Sequence, residues 1–304
     1  MENEHNEKCA PSKEYSDGSC FSLKSLKNIS KKANNLGANI NITDNKKELV
    51  SQLTKYFSSK NSCKSQTCWL RTELVKSMND EDIEENTFRP VGPKKKYEWL
   101  STTHINDVVS QYEEKYNDFI FLGALPNDFE ELPFLGLSNI NFDDYLNKGK
   151  NKLGMVINLD THNQSGSHWV ALFIDLLNYK LYYFDSVGKK PGKRIKKFNN
   201  KIVNFMYKKK YGDELNVNKI LALINNIDDE TRKNKYYTLL KNKLKSFDIR
   251  FNPIQHQKAN TECGVYSINF ILRLAKNESF NTIISNITDD EEMNKCRKVY
   301  FRNT

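Results

Sequence analysis

Residues 153–160 and 169–175 are short runs rich in Val, Ile, Leu and Phe. A third run, 180–184, follows the connection Leu176-Leu177-Asn178-Tyr179 and bears Tyr182, Tyr183 and Phe184. Runs of this length, bounded by Gly, Asn, Asp and Ser, read as strands rather than helices. The short connection makes the second and third an antiparallel hairpin. This hairpin constrains the chain most, because residues flanking its open end must be neighbours in space. His168 precedes one strand and Asp185 follows its partner, so a base and a carboxylate meet at one sheet edge.

Residues 247–254 alternate Phe247, Ile249 and Phe251 with Asp248, Arg250 and Asn252, the pattern of a half-buried strand that delivers Gln257 just past its end. Residues 265–275 place Val265, Ile268, Ile271, Leu272 and Leu274 as a helix would, with Cys263 at its start. A cysteine attacks as its thiolate, and both a histidine partner and a helix N-terminus favour that anion. The set then has assigned parts: Cys263 as nucleophile, His168 as base, Asp185 as orienting group and Gln257 as oxyanion donor. Each residue alone has a plainer reading: a small apolar core side chain, a structural histidine, a turn-opening Asp-Ser and a loop glutamine. Their joint placement at element ends favours the catalytic reading. His256 competes as base through its nearness to Cys263 in sequence, but no residue comparable to Asp185 is placed to orient it.

The ordered motifs His168-Trp169, Asp185-Ser186, Gln257 and Cys263-Gly264 resemble the SUMO-protease and adenovirus-protease clan, in particular its branch in large DNA viruses. The likeness covers roughly residues 88–304. It implies an α+β fold, a papain-like cysteine protease core with a helical N-terminal arm, and a Cys-His-Asp mechanism that needs no metal or organic cofactor. Trp99-Leu100 resembles the clan's Trp-Leu segment, although Ser101-Thr102 replaces the usual Asn-Asp. By that resemblance Trp99 and Trp169 wall a narrow tunnel that admits Gly-Gly before the scissile bond. The implied partner is a polyprotein, or a ubiquitin-like protein, with a Gly-Gly motif. The setting implied is the host cytoplasm at virus assembly sites, and the virion. A deconjugating enzyme, and a non-catalytic DNA- or capsid-binding protein on a protease scaffold, are the alternatives.

The 304 residues suit one sizeable core and a smaller unit, expected as 1–95 (arm and linker) and 96–304 (catalytic domain). Residues 1–18 read as a mobile polar stretch. Leu23, Leu26, Ile29 and Ala33, then Leu49, Val50, Leu53 and Tyr56, outline two helices, with Thr43-Asp44 as candidate N-cap of the second. The pair weakly resembles SAP-type DNA-binding modules, although a small helical arm that packs on the protease or on a partner is the plainer reading. Residues 86–96, with Arg89-Pro90-Val91-Gly92-Pro93, read as a linker. No apolar run is long enough to span a bilayer, and the acidic start Met1-Glu2-Asn3-Glu4 is not a signal peptide. The six cysteines are spread without a framework, which fits a reducing cytosol; Cys63 and Cys68 resemble half a metal site with no second half. The net charge of +9 would support weak association with nucleic acid. Lys208-Lys209-Lys210, at the end of a helical stretch 194–211, reads more simply as a solvated face.

Overall fold

The computed structural model describes residues 8–302, the side chain of Glu81 excepted. The chain divides into two compact units. One comprises residues up to 98 together with 106–115 and the stretch from 294; the other comprises 99–105 and 116–293. This differs from a single cut between 95 and 96, since the first unit is not one contiguous arm.

In the first unit, α1 (Leu23–Asn35) and α2 (Lys46–Asn61) bury Leu26, Ile29 and Ala33 with Leu49, Leu53 and Phe57. Trp69 stacks on Phe57 and Phe21 at 4.9 and 5.8 Å. Helix α2 starts one residue later than Thr43-Asp44 suggests: Asn45 is the N-cap and accepts the Glu48 N–H. Four cysteines expected to be free are bonded, Cys9 to Cys20 and Cys63 to Cys68, so the Cys63/Cys68 pair is not half a metal site. Of the stretch read as mobile, residues 1–7 lie outside the described residues. Beyond them, Cys9 pairs with Phe88 in a β-bridge and Ala10 donates to the Thr87 carbonyl, which anchors that stretch and the start of the expected linker together.

The second unit is built on a sheet of order β1-β2-β3-β4-β5: Phe119–Leu125, Lys152–Asn158, Trp169–Asp175, Lys180–Phe184 and Asp248–Phe251. The outer pairs β1–β2 and β4–β5 are parallel and the inner two antiparallel. Strand β1 is an apolar run not anticipated above. Strand β5 is an edge strand, and its Ile249 is exposed rather than buried as the alternation suggests.

Burial on both faces explains why the inner strands are nearly continuous in apolar residues. Leu153, Met155, Ile157, Val170, Leu172 and Ile174 share a core with Ile195, Phe198, Ile202 and Met206 of α3 (Lys193–Tyr211). On the opposite face, Gly154 meets Ile271, and Phe184 stacks on Phe270 at 4.7 Å, both from α4 (Cys263–Ala275). The α4 C-terminus is held by buried Lys152, whose Nζ donates to the Asn277 side chain at 2.7 Å and the Ala275 carbonyl at 3.4 Å, a cation where the helix dipole favours one. The lysine run closing α3 is largely engaged: Lys208 pairs with Glu214, Lys209 with Asp143, and Lys210 lies 4.5 Å from the centre of the Tyr179 ring.

A methyl group at Gly154 would come within 2.8 Å of the Ile271 Cγ2 and 3.0 Å of the Phe119 ring. Gly154→Ala should therefore lower the urea midpoint of unfolding, at a cost of about 1–3 kcal/mol typical of overpacked cores. An unchanged midpoint would show that α4 can move off the sheet without loss.

Candidate active site

His168 immediately precedes β3, and its carbonyl accepts the Leu159 N–H at 2.9 Å, extending the β2–β3 ladder by one bond. Asp185 immediately follows β4. The last registered pair of the hairpin is Ala171↔Phe184, so His168 and Asp185 lie diagonally rather than directly opposite. The imidazole spans the diagonal, with Nε2 2.7 Å from Asp185 Oδ1. Cys263, at the start of α4, is near enough to bear on the charge of the same imidazole. The hairpin and the start of α4 thus bring His168, Asp185 and Cys263 together.

The environment of His168 is electrostatically lopsided. Burial disfavours its charged form, but the hydrogen bond to Asp185 and the interaction with Cys263, reinforced by their charges, outweigh it and push the imidazole up to about 9. Asp185 is fully buried. Its Oδ1 also accepts the Val187 N–H at 2.9 Å, and its carbonyl accepts from buried Asn252 at 3.0 Å. Gly188 closes this turn at φ +76°, where a Cβ would lie 3.0 Å from the Pro253 carbonyl oxygen.

Gln257 is buried beside the same turn. Its Oε1 accepts from the Ser186 hydroxyl at 2.6 Å and its Nε2 donates to the Ala259 carbonyl at 2.7 Å. Since a carbonyl can only accept, the amide orientation is fixed and one Nε2 hydrogen remains available. His256 is held elsewhere. Its ring packs edge-on against Phe184 at 5.5 Å, and burial pushes its pKa down. Among the described residues no hydrogen bond joins it to Cys263.

A cleft of about 600 Å³ is lined by both Trp99 and Trp169. Trp169 is buried and donates its Nε1–H to the Leu100 carbonyl at 3.0 Å, whereas Trp99 is 41% exposed. Leu100 also sits against Gly264, where a Cβ would come within 3.0 Å of it, so the Trp99-Leu100 segment rests on the first turn of α4. Across the cleft, a bulge in β1 between Phe121 and Ala124, with Gly123 at φ +113°, turns Ala124 and Leu125 into the lining.

The C-terminal catalytic domain model of the Ulp1 protease family matches residues 141–303. The chain belongs to this family. A protein of Acanthamoeba polyphaga mimivirus that carries the name of a thiol protease is 38% identical over 268 residues, covering 87% of this chain and 77% of that one. A protein named SUMO-1 cysteine protease, from African swine fever virus, is 25% identical over 278 residues, covering 84% and 90%. The crystal structure of the African swine fever virus protease matches with a TM-score of 0.59 at 21% identity, over 98% of this chain and 96% of that one, which is a likeness of fold. The clan resemblance read from the motifs, with its viral branch, is thereby borne out, as is the α+β fold class.

Several residues of this candidate site were not singled out in the sequence. Ser186 and Asn252, both buried, fix Gln257 and Asp185, and Asp128 braces the cleft loop through His162. Their local signals were the Asp185-Ser186-Val187-Gly188 turn and the Asn252-Pro253 stop after β5.

Because the folded-state value for His168 lies above its ordinary 6.5, the stability it contributes should be full below pH 6.5 and lost as pH rises through about 9. Its imidazole C–H resonances should titrate near the upper value. Asp185→Asn and Cys263→Ala should each bring that titration down. An unmoved titration in both variants would mean that neither partner holds the charge.

Proposed function

We propose that this Ulp1-family protease is an endopeptidase that uses Cys263, His168 and Asp185 to cut viral structural polyproteins after Gly-Gly. The observation that carries the reading is the 2.7 Å contact of His168 Nε2 with Asp185 Oδ1, with Cys263 at the start of α4 acting electrostatically on the same imidazole. In this mechanism the sulfur and imidazole react as thiolate and imidazolium, and the thiolate attacks the scissile carbonyl. The remaining Gln257 amide hydrogen and the Cys263 backbone N–H bind the oxyanion, His168 protonates the leaving amine, and water releases the acyl group. The presence of all three residues, with the His168–Asp185 contact made, argues against a non-catalytic scaffold.

The substrate assignment rests on the two tryptophans lining one cleft, which suits an extended segment with small residues at its narrow part. The viral relatives support a role in particle assembly, in the host cytoplasm and the virion. Among the described residues no helix is long and apolar enough to cross a membrane. The net charge of +9 would aid weak retention near nucleic acid. A second reading, removal of SUMO or a related tag, is favoured by the name of the African swine fever virus relative.

Cys263→Ala should abolish turnover, and His168→Ala should nearly do so, while Asp185→Asn keeps a measurable remainder because the base survives. Gln257→Ala should lower kcat by about 10²–10³ with little change in KM, the usual cost of an oxyanion donor. Retained peptide cleavage by Cys263→Ala would refute the assignment.

The two substrate readings part on one comparison. Short unstructured Gly-Gly-X peptides should be cut efficiently, with a strong penalty for Gly→Val next to the bond. Rapid cutting of SUMO fusions with negligible turnover of the peptides would favour deconjugation.

A further inference from the structure

We propose that Asp160 is a specificity residue, pairing through its free carboxylate oxygen with a Lys or Arg side chain of the substrate upstream of the scissile bond. The proposal rests on the reading that the cleft between Trp99 and Trp169 holds the substrate. The chain carries 47 Lys and Arg against 38 Asp and Glu, yet among the described residues neither Lys nor Arg lines this cleft. Its ionisable lining residues are Asp160 and His162. Any charge on His162 is answered from behind: Nδ1 lies 2.6 Å from Asp128 Oδ2, and its backbone N–H donates to Oδ1 at 2.9 Å. In either protonation state of His162, the wall formed by Asp128, Asp160 and His162 is net negative. Glu130 and Glu131, which follow Asp128, pair with Lys201 and Arg194.

Asp160 is held as a preset acceptor. Its N–H donates to Asn158 Oδ1 at 3.0 Å, its carbonyl accepts the Asn127 N–H at 2.8 Å, and its Oδ1 accepts the Ser167 hydroxyl at 2.7 Å. Oδ2 has no partner among the described residues. A carboxylate already fixed in this way gives up little freedom on binding a cation. A second feature points to the same ligand: Phe134, on the cleft lining, is 82% exposed. An unsupported aromatic ring lining the same cleft as a carboxylate suits a cation on an aliphatic stem, whose stem can cover the ring while its head pairs with the acid. A neutral apolar side chain would cover the ring but leave the acid unused, and an acidic one would be repelled.

The test uses the full chain and Gly-Gly peptides of equal length, with Lys, Gln or Glu at each upstream position in turn. At one position, Lys should be cut with kcat/KM about tenfold above Glu at low ionic strength, the gap narrowing as salt is added. Asp160→Asn keeps the acceptor for Ser167 and should shrink the gap to within about twofold, and Asp160→Lys should reverse it. Alkylation of Cys263 by iodoacetamide reports on the nucleophile without using the cleft. If Cys263 alkylates and peptides are cut, but Asp160→Asn keeps the preference or no position prefers Lys, the Asp160 proposal alone is overturned. If no peptide is cut and Cys263 does not alkylate, the protease reading falls with it.

Discussion

The Ser186 carbonyl accepts the backbone N–H of both His256 and Gln257, at 2.8 and 2.9 Å, and the rest of the site hangs from that junction. It fastens the loop after β5 to the turn after β4. Because the Ser186 hydroxyl also takes Gln257 Oε1, the amide and the carboxylate of Asp185 are set by adjacent residues of one buried turn. Asn252 adds the cross-tie, donating to the Asp185 carbonyl and the Ile254 carbonyl while accepting the Ile254 N–H. A buried group that loses its hydrogen-bond partner costs about 1–3 kcal/mol, so this lattice resists any one member moving. The proposed base, orienting group and oxyanion donor are positioned by backbone more than by one another.

Much of this was legible because strands and one helix announce themselves by composition. The hairpin of β3 and β4 followed from two apolar runs and a short connection, and its ends put His168 and Asp185 side by side. Helix α4 followed from the spacing of Val265, Ile268, Ile271 and Leu272. What sequence could not give was the register. Ala171↔Phe184 as the last pair makes the His168–Asp185 contact diagonal, and only the length of the imidazole reaching across restores it. Ile249 misleads because alternation assumes that a packed layer covers one face of the strand, and on the terminal strand β5 the Ile249 side chain is left exposed. The supporting polar residues were hidden because a buried Ser or Asn looks the same in sequence as an exposed one.

The cysteines show the same limit from another side. Spacing alone made Cys9, Cys20, Cys63 and Cys68 look scattered. Pairing depends on distance in space, and the Cys9–Phe88 bridge and the α1–α2 core decide that distance. Disulfides persist where thiol reductants are scarce, the surface of a particle being one such place and the cytosol not. Cys263 is free and buried, so the proposed nucleophile does not share in that framework.

The sign of the cleft's charge opposes the sign of the whole. A chain of net charge +9 draws in acidic partners and repels basic ones at long range. Salt damps that field over a Debye length of about 8 Å at physiological ionic strength, whereas contacts inside a cleft are screened less. Distance therefore separates two tasks. On the proposed reading, the outer lysines would govern long-range attraction, and Asp128, Asp160 and His162 what lies in the cleft. A partner rich in acidic groups can hold the protein at its surface without entering the cleft, because the residues that attract it and those that admit a substrate carry opposite charge.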